Sequence, residues 1–244
     1  MTVGSEPVAV TLEAPAKLTL SLEVIGVLDD GYHLIDAEMV SLDWGDHLEV
    51  GPGDDLVVVS AGVERAAAPD DLVARALQAC GRHAAVRLHK VVPPGAGLGG
   101  GSSDAAAILR WAGELDPAVA VGLGADVPFC VRGGRARVTG IGEQVEPLPF
   151  LPQVLTLCTP PLHCSTPRVY RVWDELGGPR GDHGNDLEPA ALAAYPELAA
   201  FRDRFAERTG RRPRLAGSGA TWFVEGEHPG PGHLVVRTLP PHER

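Results

Sequence analysis

The stretch Pro93-Pro94-Gly95-Ala96-Gly97-Leu98-Gly99-Gly100-Gly101-Ser102-Ser103-Asp104-Ala105-Ala106-Ala107 has the makings of a phosphate cradle. Glycines let the backbone pass through positive φ and come close to a ligand. The alanine-rich run that follows reads as a helix, whose first turn offers unpaired N–H groups and a positive dipole end. Ser102 and Ser103 add hydroxyls. The plainer alternative is a flexible loop with a serine N-cap. The loop lacks the Gly-Lys-Ser/Thr ending of a Walker motif. Nor does a second strand tipped by an acidic residue follow some 20 positions on, as in a dinucleotide-binding fold. A second candidate is Asp126 in Gly-Ala-Asp-Val-Pro, a tight segment that can hold a carboxylate rigidly; the plainer reading is a turn-forming Asp.

The composition sharpens the search for cations. The chain has 244 residues, 30 Gly, 22 Pro and a net charge of −11. Such acidity excludes recognition of nucleic acid or an anionic membrane by bulk charge. Of the 21 basic residues only Lys17 and Lys90 are lysines, so a background that favours arginine has kept lysine at two places. The four cysteines form no C-x-x-C pair, which predicts reduced thiols and no zinc or disulfide framework. No apolar run reaches the roughly 18–20 residues of a membrane span. Residues 1–12 have no basic start followed by an apolar core. The expectation is a cytoplasmic protein, monomeric or weakly homodimeric.

Alternation of apolar and polar residues predicts strands over 8–12, 17–25, 35–43, 47–50, 56–60 and 85–92. Helices are predicted over 72–81, after Asp70-Asp71, and over 103–114, opening from the glycine run. Beyond Gly124, strands are predicted over 136–139, 154–158, 220–225 and 233–238. Helices are expected over 167–176, 187–195 and 197–209. Strands come in runs between helices rather than in strict alternation, which favours an α+β layered fold. Pro149 and Pro152 bracket a seam, giving units 1–150 and 151–244.

The glycine loop resembles the second motif of the GHMP kinase superfamily. Five further blocks point to one branch: Ala14-Pro15-Ala16-Lys17-Leu18-Thr19-Leu20 with Asp30-Gly31-Tyr32-His33, Gly124-Ala125-Asp126-Val127-Pro128-Phe129-Cys130, Ser165-Thr166-Pro167-Arg168-Val169-Tyr170, Asn185-Asp186-Leu187-Glu188-Pro189, and Leu215-Ala216-Gly217-Ser218-Gly219-Ala220-Thr221. Members of that branch phosphorylate the 2-hydroxyl of a methylerythritol linked to cytidine diphosphate, in the isoprenoid route that does not use mevalonate.

The resemblance implies a two-subdomain fold, the N-terminal part like ribosomal protein S5 domain 2 and the C-terminal part a ferredoxin-like sandwich. It implies Asp126 as general base and Lys17 as the cation beside it, holding the carboxylate ionised and offsetting phosphoryl charge. Lys90, Pro93, Gly95, Ala96, Gly97, Leu98, Gly99, Gly100, Gly101, Ser102 and Ser103 would bind ATP. Thr19, Tyr32, His33, Thr166, Tyr170, Gly217 and Ser218 would meet the substrate, with the tyrosines stacking on cytosine. Mg²⁺ is expected with ATP, with Ser103 as a candidate ligand. Many members carry Asn where this chain has Thr19, so a hydroxyl replaces amide donors at one contact. Two other readings are a superfamily kinase for a different alcohol, such as mevalonate or homoserine, and a nucleotide-binding protein without catalysis.

Overall fold

The computed structural model describes residues 9–242. Val8, at the head of the first predicted strand, lies outside them, as does most of the segment read for a leader. The elements run β1 Val10–Val27, β2 His33–Gly51, β3 Leu56–Ser60, β4 Val63–Ala66, α1 Leu72–Ala79, β5 Ala85–Lys90, α2 Gly100–Ala112, α3 Pro117–Leu123, α4 Val127–Arg132, β6 Arg135–Gly140, β7 Gln144–Pro147, β8 Val154–Cys158, α5 Thr166–Glu175, α6 Glu188–Ala194, α7 Glu197–Thr209, β9 Arg214–Leu215, β10 Trp222–Glu225 and β11 His233–Leu239. One sheet orders its strands β4-β3-β5-β2-β11-β8-β10-β9, with β1 and β6 also on β2 and β7 on β6. Pairing is antiparallel throughout the ladders except β3–β5. This is the expected α+β layering. The last strand lies mid-sheet and links its two halves: β11 pairs with β2 through Thr238–Leu42 and Leu239–Ser41, and with β8 over His233–Arg237.

The first four predicted strand segments merge into two long strands. The breaks were expected around Pro15 and Gly45, and these two residues are register partners. Proline removes a ladder donor, and it is tolerated here because the register shifts immediately after it. Gly45 is required opposite: a Cβ there would lie 2.2 Å from the Ala14 carbonyl oxygen.

The bulges in β1 position the site. Register shifts fall between Pro15 and Lys17 and between Thr19 and Ser21. Ala14, Leu22 and Val24 belong to the core that packs under α1 and α2. Ala16, Leu18 and Leu20 instead enter a second core with Leu155, Leu157, Phe223 and Val236 of the C-terminal half. Side chains normally alternate strictly between faces. The two shifts invert that alternation over one short segment, which turns Lys17 and Thr19 inward between the two cores.

The glycine-run helix begins earlier than predicted. α2 starts at Gly100, with Gly99 as N-cap in the left-handed region, and no side chain caps it. Ser102 and Ser103 are therefore inside the first turn rather than at its cap, and Gly113 ends the helix before Glu114. Three short strands, β4, β7 and β9, and helices α3 and α4 carry too few periodic positions to show in the sequence.

Candidate active site

A cavity of about 830 Å³ opens between the glycine loop, β1, the start of α4 and the Gly217–Ser218 turn. It lies within the size range of small-molecule sites. The glycine loop is held by its backbone. Lys17 N–H donates to Leu98 O at 3.0 Å, Ala220 N–H to Gly95 O at 3.2 Å, and Thr221 N–H to Ala96 O at 3.1 Å. Ala96 and Leu98 bury their side chains in the second core. Gly95, Gly97 and Gly99 alternate with them along the cavity wall. A Cβ on Gly97 would stand 2.5 Å from Ala216 O, and one on Gly99 2.6 Å from Lys17 Cγ. Both have φ in the left-handed region. The first N–H groups of α2 open onto this loop and carry the helix's positive end.

Lys17 and Asp126 meet inside. Lys17 Nζ lies 3.2 Å from Asp126 Oδ2 and donates to Thr19 Oγ1 at 3.1 Å. The ammonium is buried, whereas the Asp126 side chain keeps 32% exposure toward the cavity. Asp126 occupies the N-cap position of α4 but makes no side-chain cap there. Asp126 does sit in a turn, but without a cap bond its carboxylate is left open to the cavity. Lys17 is no solvated edge charge.

Lys90 is not a solvated surface cation either. Its Nζ donates to Asp46 and, at 2.6 Å, to Asp104 Oδ2, and all three groups are largely buried. Asp46 also accepts from Val91 N–H at 2.5 Å and Val92 N–H at 2.8 Å. One ammonium thus faces two carboxylates. Burial pushes the Asp104 carboxyl up to about 7, Lys90 opposing the rise and Asp46 adding to it. Burial alone would lower Lys90, but the two carboxylates outweigh it and hold the amine above its ordinary range. Asp104 Oδ1 is buried without a partner.

The remaining predicted residues divide. Thr19, Pro93, Gly95 to Ser102, Thr166, Tyr170, Gly217 and Ser218 line the same cavity as Lys17, Lys90 and Asp126. Thr166 Oγ1 and Ser218 Oγ share a hydrogen bond of 2.8 Å. Burial and nearby Asp126 push the Tyr170 phenol well above its ordinary value, so it stays protonated. Tyr32 and His33 are not on the wall. Tyr32 is 59% exposed at the hairpin end. The His33 ring packs behind Tyr170 at 4.6 Å between centroids, meets Trp173 edge-on at 5.4 Å, and bonds Asp174 at 2.8 Å through Nε2. Ser103 also faces away: its hydroxyl donates to Pro15 O at 2.6 Å and contacts Cys130 Sγ at 3.3 Å. Ser102, not Ser103, reaches the cavity.

Five further residues had no assigned role at the site. Arg65 of β4 and Asp70 and Asp71 before α1 wall the cavity. A single Arg in a short irregular segment gave no signal. Asn185 lies in a block quoted above and is buried. It donates to Leu215 O at 2.8 Å and Gly217 O at 2.7 Å, while its own oxygen accepts from Leu187 N–H at 2.9 Å. Its neighbour Asp186 accepts from Val24 N–H at 3.0 Å. This pair ties β1 to the turn that closes the cavity.

The glycine loop over a helix start, the Lys17–Asp126 pair and the Gly217–Ser218 turn are the arrangement of a GHMP kinase, and a model of the GHMP kinases N terminal domain matches residues 63–134. The chain is 39% identical, across 92% of its length and 91% of the relative's, to the 4-diphosphocytidyl-2-C-methyl-D-erythritol kinase of Ruegeria pomeroyi. It is 37% identical to the enzyme of that name from Paracoccus denitrificans, covering 86% of this chain and 84% of the relative. A crystal structure of a 4-(cytidine 5'-diphospho)-2C-methyl-D-erythritol kinase superposes with a TM-score of 0.76 at 30% identity, over 94% of this chain and 99% of that one. The chain belongs to the 4-diphosphocytidyl-2-C-methyl-D-erythritol kinase family.

Proposed function

We propose that this protein transfers the γ-phosphoryl group of ATP to the 2-hydroxyl of 4-diphosphocytidyl-2-C-methyl-D-erythritol. The observation that carries the reading is the 3.2 Å Lys17–Asp126 pair, set in one cavity with the glycine loop and Tyr170. Asp126 accepts the proton of the substrate hydroxyl as its oxygen bonds to phosphorus and ADP departs. Lys17 offsets negative charge on the transferring group. Backbone N–H groups at the start of α2 hold the phosphates. Residues 1–150 supply this nucleotide side, and residues 151–244 supply Thr166, Tyr170, Gly217 and Ser218 on the acceptor side. The cytosine stacks on Tyr170, with His33 bracing the Tyr170 ring from behind.

Mg²⁺ fits this cavity. Its described wall presents oxygen donors, the Asp126 carboxylate and the Ser102 hydroxyl among them, and neither imidazole nor thiol. Ser102 would hold the ion together with phosphate oxygens and water, which leaves Asp126 free to take the proton. When bound, the ion neutralises phosphate charge.

The test is ADP release with a panel of acceptors. Turnover is expected with the cytidyl substrate and not with mevalonate or homoserine; the reverse pattern overturns the substrate assignment. Tyr170→Ala is expected to raise KM for the cytidyl substrate and leave KM for ATP unchanged. ATP binding without phosphoryl transfer to any acceptor in the panel would favour the non-catalytic reading.

A further inference from the structure

On the face of the sheet opposite α1 and α2, three metal-ligating side chains converge. His47 and His89 are register partners across β2 and β5, and Glu49 stands two residues along β2 on the same face as His47. Leu48 and Val50, between and beyond them, are buried in the core, as are Val86 and Leu88 on β5. The three polar side chains therefore point the other way, out of the core. One ligand atom from each lies within 4.8 Å of the other two. The imidazoles stack at 4.3 Å with 7° between planes. His89 Nε2 sits 3.2 Å from Glu49 Oε1, yet makes no hydrogen bond and is otherwise buried without a partner. Arg87, the register partner of Glu49, pairs instead with Glu64, which leaves the Glu49 carboxylate uncommitted. Glu13, the register partner of His47 on β1, adds further negative charge on this side.

We propose that His47, Glu49 and His89 form a binding site for a divalent transition cation of the Zn²⁺ type, separate from the nucleotide cavity. Two imidazoles and one carboxylate are borderline donors that suit zinc, nickel or copper rather than Mg²⁺ or Ca²⁺, which take oxygen ligands. Tetrahedral zinc with bonds near 2.0–2.1 Å spaces its ligand atoms roughly 3.3 Å apart. The His89–Glu49 separation of 3.2 Å already meets that spacing. Rotation of the His47 ring out of the stack brings the third atom in. Water completes the sphere, because Glu49 is half exposed. A cation held here bridges β2 and β5 one residue beyond Asp46 and Lys90 on the cavity side, and stabilises the folded chain by mass action.

The experiment is calorimetric titration of the full chain with zinc chloride, without nucleotide, alongside thermal unfolding with and without zinc. One equivalent is expected to bind and to raise the unfolding temperature. His47→Gln and His89→Gln are each expected to weaken binding at least roughly tenfold, the lower end of what even indirect disturbance of a metal site costs. In metal-free buffer both variants should unfold at the parent's temperature, which separates a lost site from a damaged fold. His83→Gln is the control, since its ring pairs only with exposed Asp54 and should bind zinc as the parent does. No zinc binding by the parent at micromolar concentration overturns the proposal. So does parental affinity in His89→Gln, or loss of binding in His83→Gln.

Discussion

The Lys17 ammonium is buried 3.2 Å from an Asp126 carboxylate that remains open to the cavity. The cation is fixed from several sides: its backbone N–H on Leu98 O, its nitrogen on Thr19 Oγ1, its stem against Gly99. A planar guanidinium is wider than an ammonium and does not fit that packing. Lys17→Arg should stay folded and lose activity by about a hundredfold or more, the scale of losing a preorganised charge. Near-parental kcat would refute the role given to Lys17.

Asp126→Asn keeps the shape of the side chain and removes its capacity to take a proton. The expected loss in kcat is about a hundred- to ten-thousand-fold, with ATP affinity little changed. Single-turnover phosphoryl transfer together with nucleotide titration reads both quantities. Parental turnover in this variant would remove Asp126 from the proton-transfer step.

Gly99 and Gly101 offer a matched pair. Gly99 has φ +64° and a Cβ there meets Lys17 Cγ at 2.6 Å, whereas a Cβ on Gly101 meets Leu72 Cδ1 at an ordinary 3.4 Å. Gly99→Ala is expected to lower kcat by roughly a hundredfold, as small displacements of catalytic groups do. It should also destabilise by about 1 kcal/mol or more, because alanine resists positive φ. Gly101→Ala, at a helical position without positive φ, should cost no stability and lower kcat far less than Gly99→Ala does. Equal effects from the two substitutions would mean that contact with Lys17 is not what matters at Gly99.

Asp104 sets a pH dependence of stability. Its carboxyl, ordinarily near 3.8, is raised to about 7 by burial in the folded chain. Folding therefore takes up a proton between those values. The stability this group contributes is full below its unfolded pKa and is lost as pH rises through the folded one. Asp104→Asn carries no such titration and leaves Lys90 paired with Asp46 alone. The variant should gain stability relative to the parent as pH rises from about 4 to about 7, measured by urea unfolding. A stability difference constant across that range would contradict the assignment.

Local patterns carried most of the site. The glycine loop, Lys17 and Asp126 could be named from the sequence because each sits in a short contiguous motif. The order and kind of the larger elements were legible from periodicity. What escaped notice depends on distant partners. Lys90 is occupied by Asp46 and Asp104, which lie 44 residues before it and 14 after it. The Ser103 hydroxyl turns to Pro15 because α2 begins within the glycine run and carries that side chain around its first turn. His33 is spent on Trp173 and Asp174 as well as Tyr170, contacts set only when α5 docks on the β1–β2 hairpin. The register shifts in β1 leave no mark in its alternation: its even-numbered positions stay apolar throughout while the core they enter changes.

The paired bulges of β1 also bear on how this strand can change in length. Deleting or inserting one residue between Pro15 and Ser21 would move Lys17 or Thr19 onto an apolar core and bring a leucine to the phosphate side. Change in steps of two keeps each face in phase. Drift in chain length is therefore best accommodated at the 28–32 turn, where the exposed backbone places no side chain on the cavity wall.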